Sequence, residues 1–459
     1  MKHACQLASL GLVFLLSGCI APTPSPLPTP PPQTLQTDRW WIELGDKHFD
    51  LLVSDALRES LSLQAAKERI LQAYATVHNK QALKGPSLSS SVGASVQEEL
   101  KGVESYQDSY TATLTASYEI DIFGRKNDAL NAAEASFLAS FEALHVSSIS
   151  LVAELANAWY TLGYKKQSLS LLEEQLEVAN KILSIAKLKH QSGKNSITDV
   201  WQQEQYIASL KSQRTTLEGD IEAQKRSINL LLGRSALSPL PLESSATLIT
   251  LPPQPEVGIP ATRLLNRPDV KQAYYNLLSS NASLAEAIKN QYPSLNVSLS
   301  LSSAKNVTHF SDLLDTILGS AVASLSGTLF DGGSKEALVI QAHALSKERS
   351  LSYKQTMLQA FYDVNEALER EKNLQMYLHQ LHNRTTLANA ILERQSEKYL
   401  FGVVEYLSVL NAQQSLQELQ QTTLSKHLEQ IKYRISLHRS FGGSFIEHDI
   451  EKEWRNYAN

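Results

Sequence analysis

The chain has 459 residues, enough for two or three compact domains or for one large elongated one. Its formal net charge is −5, with lysine and arginine interspersed among the acids, so the composition gives no basis for a nucleic-acid partner. The 19 glycines and 16 prolines are clustered, and most of the chain runs long distances without a helix breaker.

At the N-terminus, Lys2 and His3 precede an apolar run, Leu7 to Leu16, too short to span a bilayer as a helix. The run ends in Leu16-Ser17-Gly18-Cys19, which resembles the bacterial lipobox. Residues 1–18 are then a signal peptide and Cys19 the acylated first residue of the mature chain. An ordinary cleaved signal with a chance cysteine is the plainer alternative. Residue 20 is Ile rather than Asp, and in bacterial lipoproteins absence of Asp there implies sorting to the outer membrane. Cys5 would leave with the signal, so Cys19 would stand alone and stability must come from packing rather than disulfides. Residues 19–37 combine this anchor with a tether. Its Pro22–Pro32 stretch is polyproline-like and reaches roughly 30 Å.

Beyond the tether, one series of signals occurs twice, about 208 residues apart. Pro86-Ser87-Leu88 recurs as Pro293-Ser294-Leu295, Phe123-Gly124 as Asp331-Gly332, and Asp128-Ala129-Leu130 as Glu336-Ala337-Leu338. Gly193 pairs with Gly402, and Leu232-Gly233 with Phe441-Gly442. Five matches in one order predict duplication of a whole unit. The first copy is placed at 38–233, a linker at 234–262, the second copy at 263–442 and a polar tail at 443–459.

Each copy reads as helix, two strands, then two long helices. In Tyr110, Ala112, Leu114, Ala116, Tyr118, Ile120 and Ile122 every second residue is apolar or small, while Thr111, Thr113, Thr115, Ser117, Glu119 and Asp121 alternate with them. The strands are expected at about 86–100, 108–122, 293–305 and 317–330. The last alternates less cleanly and contains several small residues. All four are long enough to cross a membrane when tilted. Amphipathic hairpins packed on a soluble core would show the same one-sided pattern.

Ser334 to Phe401 contains no Gly or Pro, and the equivalent stretch Lys126 to Ser192 contains only Gly163. Each could extend about 100 Å as a helix. Apolar residues recur at spacings of three and four: Leu151, Leu155, Ala158, Leu162; Val178, Ile182, Ile185; Leu374, Leu378, Leu381; Leu424, Leu428, Ile431, Ile435. Such seams want partner helices, and the outward Gln, Ser, Lys and Glu place these rods in water. Gly193 and Gly402 break the rods, and a second helix turns back after each.

Four strands cannot close a barrel, and an open edge in hydrocarbon costs several kcal/mol per unpaired backbone group. Closure must come from other copies of the chain. Three would give twelve strands and a lumen, with the long helices forming a tube beneath.

These features together resemble the TolC-like outer-membrane efflux proteins, most closely the lipidated NodT-type branch. The likeness rests on the lipobox, the tether, the duplicated unit and the hairpins Gln191–Val200 and Tyr399–Gln413. The junctions Asp121-Ile122-Phe123-Gly124-Arg125 and Leu329-Phe330-Asp331-Gly332-Gly333 add to it. It implies a fold of mixed α and transmembrane β structure. A homotrimer would share a twelve-stranded barrel and carry a long periplasmic α-helical barrel. Its implied function is passive conduction in a tripartite efflux system, with a periplasmic adaptor, an inner-membrane pump and outer-membrane lipid as partners. In that family acidic side chains at the hairpin tips ring the periplasmic aperture. Asp199 matches such a position, and Glu405 is a candidate to share the role. Ser408 and Asn411 stand where family members often have Asp, which implies a less negative gate. Asp199 and Glu405 also read simply as helix-start residues favoured by the dipole. Gly193, Asn195, Ser196, Gly402, Val403 and Val404 mark the expected adaptor contacts.

No phosphate loop, His-Glu-x-x-His or Gly-x-Ser-x-Gly occurs, so no enzyme, cofactor or metal site is expected. After the signal only Met357 and Met376 remain, too few for a thioether ladder. The rival readings are a non-conducting coiled-coil envelope scaffold and an exit duct for type I protein secretion.

Overall fold

The computed structural model describes residues 39–98, 106–240, 246–253, 264–303 and 317–442. The expected signal peptide, Cys19, the tether and the C-terminal tail lie outside them, as does much of the inter-repeat linker. A short 3-10 turn at Trp40–Leu44 is followed by α1 (Lys47–Glu59), α2 (Leu61–Ala82), β1 (Ser87–Glu98) and β2 (Tyr106–Ile120). Then come α3 (Arg125–Gln191), α4 (Ile197–Leu231), α5 (Pro268–Lys289), β3 (Ser294–Ser303), β4 (Ile317–Ser326), α6 (Ser334–Leu400) and α7 (Tyr406–Phe441). The chain forms two compact units, and each draws on both copies of the repeated sequence. Ala73–Phe137 and Tyr275–Leu351 contribute to the first unit. The described parts of Gln33–Gln72, Leu138–Tyr274 and Ser352–Asn459 form the second.

In the first unit the four strands make one antiparallel sheet in the order β1-β2-β3-β4. The copies meet at its centre, where β2 pairs with β3 in the register Thr113↔Ser302 through Ile120↔Leu295. β1 pairs with β2 (Ser87↔Ser117) and β3 with β4 (Ser300↔Ser320). This register puts Ser87, Ser89 and Ser91 beside Thr113, Thr115 and Ser117, and those beside Ser298, Ser300 and Ser302. Leu88, Val92, Leu114, Leu299 and Leu301 stand on the opposite face, where all remain largely exposed. β4 departs from clean alternation. Its Ile317 and Leu325 lie on the apolar face, but Leu318 and Val322 pair with Ser302 and Ser298 on the hydroxyl face. β2 stops at Ile120 because Ile122 N donates to Ile120 O and Gly124 N to Asp121 O, turning the chain into α3.

In the second unit the helices pack along the three-and-four seams. Leu151, Leu155, Ala158 and Leu162 of α3 are buried, as are Leu428, Ile431 and Ile435 of α7. The phase differs from expectation at one point: Val178 is exposed and its neighbour Ala179 is fully buried. The seam there turns by one residue to meet Tyr206, Ile207 and Leu210 of α4. One stretch of α3 is apolar enough by composition to cross a bilayer, yet 56% of it is buried inside the protein, which marks it as a packed core. The one glycine in α3 is required by a close approach. A Cβ on Gly163 would stand 2.7 Å from the Thr247 carbonyl carbon. Two charged ties cross this core. Arg434 forks onto Glu371, both side chains 3% exposed, at 2.5–3.1 Å. Arg267 reaches Asp269, Asp363 and the Ser440 carbonyl. A carboxylate buried against a bidentate guanidinium is satisfied, and removing either partner strands the other.

Candidate functional site

The second unit carries both helical turns that the sequence marks as tips, and they are built alike. Gly193 adopts φ 70° and Gly402 φ 77°, left-handed conformations that favour glycine. Gly193 N donates to His190 O and Lys194 N to Lys189 O; Gly402 N donates to Tyr399 O and Val403 N to Lys398 O. The repeated bonds satisfy the last carbonyls of α3 and α6 and end both helices at the same place.

The restarts differ. Ser196 caps α4, its Oγ accepting from Thr198 N at 3.2 Å. Glu405 holds the equivalent place before α7, but its side chain makes no capping bond and is free of the helix start. Asp199, half-buried in the first turn of α4, has its carboxyl held above the ordinary range. Burial is the main cause, followed by the negative charge of Glu405, while Lys189 opposes both. Asp199 therefore lies within the field of Glu405 of the same chain. Ser408 is half-buried with its N–H on the Glu405 carbonyl, and Asn411 is exposed.

Among the expected contact residues, Gly193, Gly402 and Val403 are exposed, Val403 at 71%. Val404 packs against the apolar cluster that contains Ile182, Leu392 and Val409. Asn195 is half-buried and donates from Nδ2 to the Tyr399 hydroxyl.

That bond exposes residues the sequence reading passed over. Lys189 donates to the Tyr399 carbonyl and stands 4.1 Å over its ring. Burial, then the charge of Lys194, holds the Lys189 ammonium below its usual range. The end of the first hairpin thus grips Tyr399 of the second. Behind it runs an uncharged ladder. The Tyr406 hydroxyl donates to Gln203 Oε1, Gln203 Nε2 donates to the Ala179 carbonyl at 2.7 Å, and the Tyr206 hydroxyl donates to Gln417 at 2.6 Å. Burial pushes Tyr206 up to about 12, so it stays a neutral donor at physiological pH. A Gln or Tyr at a seam position, such as Gln203, Tyr206 or Tyr406, is the one sequence signal that could have found this ladder. Among the described residues no group of three or more His, Cys, Asp or Glu side chains could hold a metal ion.

A sheet with one apolar, uncovered face, carried in the same chain as water-facing helical hairpins, defines a membrane channel subunit rather than an enzyme. The sequence profile of the outer membrane efflux protein family matches residues 52–234 and 259–443, and the chain belongs to that family. It is the outer-membrane channel component of an efflux system. The pyoverdine export outer membrane protein OpmQ of Pseudomonas putida is 26% identical over 468 residues, spanning 97% of this chain and 98% of that protein. The protein named "Probable outer membrane lipoprotein SilC" of Salmonella typhimurium is 26% identical over 463 residues, spanning 96% and 99%. Two solved channels share the fold. CusC superposes with a TM-score of 0.81 at 24% identity, covering 93% of this chain and all of that one. The outer-membrane channel OprN does so with 0.82 at 22%, covering 93% and 99%.

Proposed function

We propose that the chain acts as a homotrimer whose three sheets close a twelve-stranded barrel in the outer membrane. The trimer passively conducts substrates delivered by a periplasmic adaptor and an inner-membrane pump. The observation that carries this reading is the state of the sheet edges. Among the described residues β1 and β4 each pair on one side only, and β4 is exposed along its whole length. Edge amides facing hydrocarbon cost several kcal/mol each unless paired, and two further copies, one on each side, supply the missing edges. The apolar face is then the lipid contact. The two segments matched by the family profile support the duplicated-unit reading.

At the periplasmic end, Asp199 and Glu405 supply the negative charge of the aperture, softened by Ser408 and Asn411. Gly193, Asn195, Ser196, Gly402, Val403 and Val404 form the tips that an adaptor meets. Val404 acts there through the cluster it packs on, and Ser196 through its cap. Acylation of Cys19 is supported by the lipobox resemblance and by the lipoprotein name of SilC. OpmQ is named for pyoverdine and CusC for cations. Relatives of similar distance thus differ in cargo, consistent with choice by the pump rather than the duct.

Native mass spectrometry of the detergent-purified chain tests the assembly, and planar-bilayer recording tests conduction. Three copies and discrete conductance steps are expected. A monomer, or a folded trimer that never opens, overturns the reading.

A further inference from the structure

The register of the sheet bears on what the barrel can select. We propose that the barrel section is a largely hydroxyl-lined conduit with no unpaired charge on its described strands, one that passes solutes of either sign and neutral solutes alike. This rests on the channel reading above, because a face becomes a lumen wall only when copies close the sheet.

Three observations carry it. The face bearing Leu88, Leu114 and Leu299 is exposed and apolar, so it belongs to lipid, and the opposite face belongs to water. That opposite face is built mainly from serine and threonine, with Asn296 and the β4 residues Leu318 and Val322 among them, and its hydroxyls bond across strands instead of presenting charge. Ser300 meets Ser320 at 2.7 Å and Ser294 meets Ser326 at 3.2 Å, while Ser89 donates to the Thr115 carbonyl. Among the described side chains on this face of the strands, Glu119 is the one ionisable group. Its carboxylate is met by Arg125 at 2.7 Å and Lys126 at 3.4 Å. Rings of unpaired wall charge confer ion selectivity in pores, and the described residues of this wall offer none. A hydroxyl both donates and accepts, so it can hydrate a passing cation, anion or neutral polar group without preference.

Reversal potentials in a KCl gradient, recorded in planar bilayers with the full-length channel, test this. Ser300→Asp should raise the K+ over Cl− permeability ratio of the parent by about threefold or more, and Ser300→Lys should lower it by a similar factor. Because either substitution could hinder folding, Thr113→Cys supplies a second arm in which charge is added after assembly. Thiol reagents of opposite charge are applied to open Thr113→Cys channels, with the unsubstituted protein treated identically as control. Opposite shifts of similar size are expected. Leu299→Cys, on the lipid face, should give none. A wall already carrying a net field would respond to one sign of reagent and scarcely to the other, and that result overturns the proposal. So does a shift at Leu299→Cys without one at Thr113→Cys, which would invert the two faces. If no version conducts, the unsubstituted chain included, it is the channel reading itself that fails.

Discussion

The two 67-residue helices, α3 and α6, come from equivalent places in the duplicated sequence but meet different surroundings. Near its start α3 buries Ala129, Ala132, Ala133 and Ala135, whereas α6 leaves Leu338 at 48% and Ile340 at 64% exposure. Small residues at the start of α3 let neighbouring elements approach closely. Large apolar residues at the start of α6 are left about half uncovered by the described residues of their own chain. Farther along the contrast takes another form. Leu162 and Glu371 each stand 31 residues before their turn glycine, and both are buried, one in apolar contact and the other paired with Arg434. Duplication therefore reproduced length and ends, while the filling of each helix diverged to suit what it packs against.

The largest expected break in this comparison is at the exposed start of α6. Ile340→Glu should leave the helix content of the chain unchanged and abolish trimer formation, read by native mass spectrometry in detergent. Intact trimers would mean that this face has no partner. Next comes the buried pair in the second half of α6. Glu371→Ala strands the Arg434 guanidinium and should cost about 3–5 kcal/mol, measured as a loss of thermal or denaturant stability. A loss well under that would show water reaching Arg434. The smallest effect lies on α3, where Gly163→Ala pushes a methyl group against the Thr247 backbone. A cost of about 1–3 kcal/mol is expected. The conformation of Gly163 itself suits alanine, so any stabilisation would mean that the 246–253 segment moves away freely.

The elements were legible because their signals are local. The strand alternation in Tyr110–Ile120, the breaker-free run of α6 and the glycines at both turns each depend on neighbours a few residues apart. The candidate site was legible in part. Asp199 and Ser196 stand out at a helix start, but nothing near Lys189 in the sequence points to Tyr399, which lies 210 positions away. The three-and-four count reaches Val178. Packing instead selected Ala179, where a small side chain lets α4 come close.

By itself, then, the sequence determined periods, lengths, breakers and the sidedness of each strand, since steric preference and amphipathic spacing act within one or two turns. The tertiary structure decided which residues meet. It set Thr113 opposite Ser302, brought Asp199 within the field of Glu405, and joined Glu371 to Arg434. Such pairings depend on how separate elements fill shared space, and no local period encodes that.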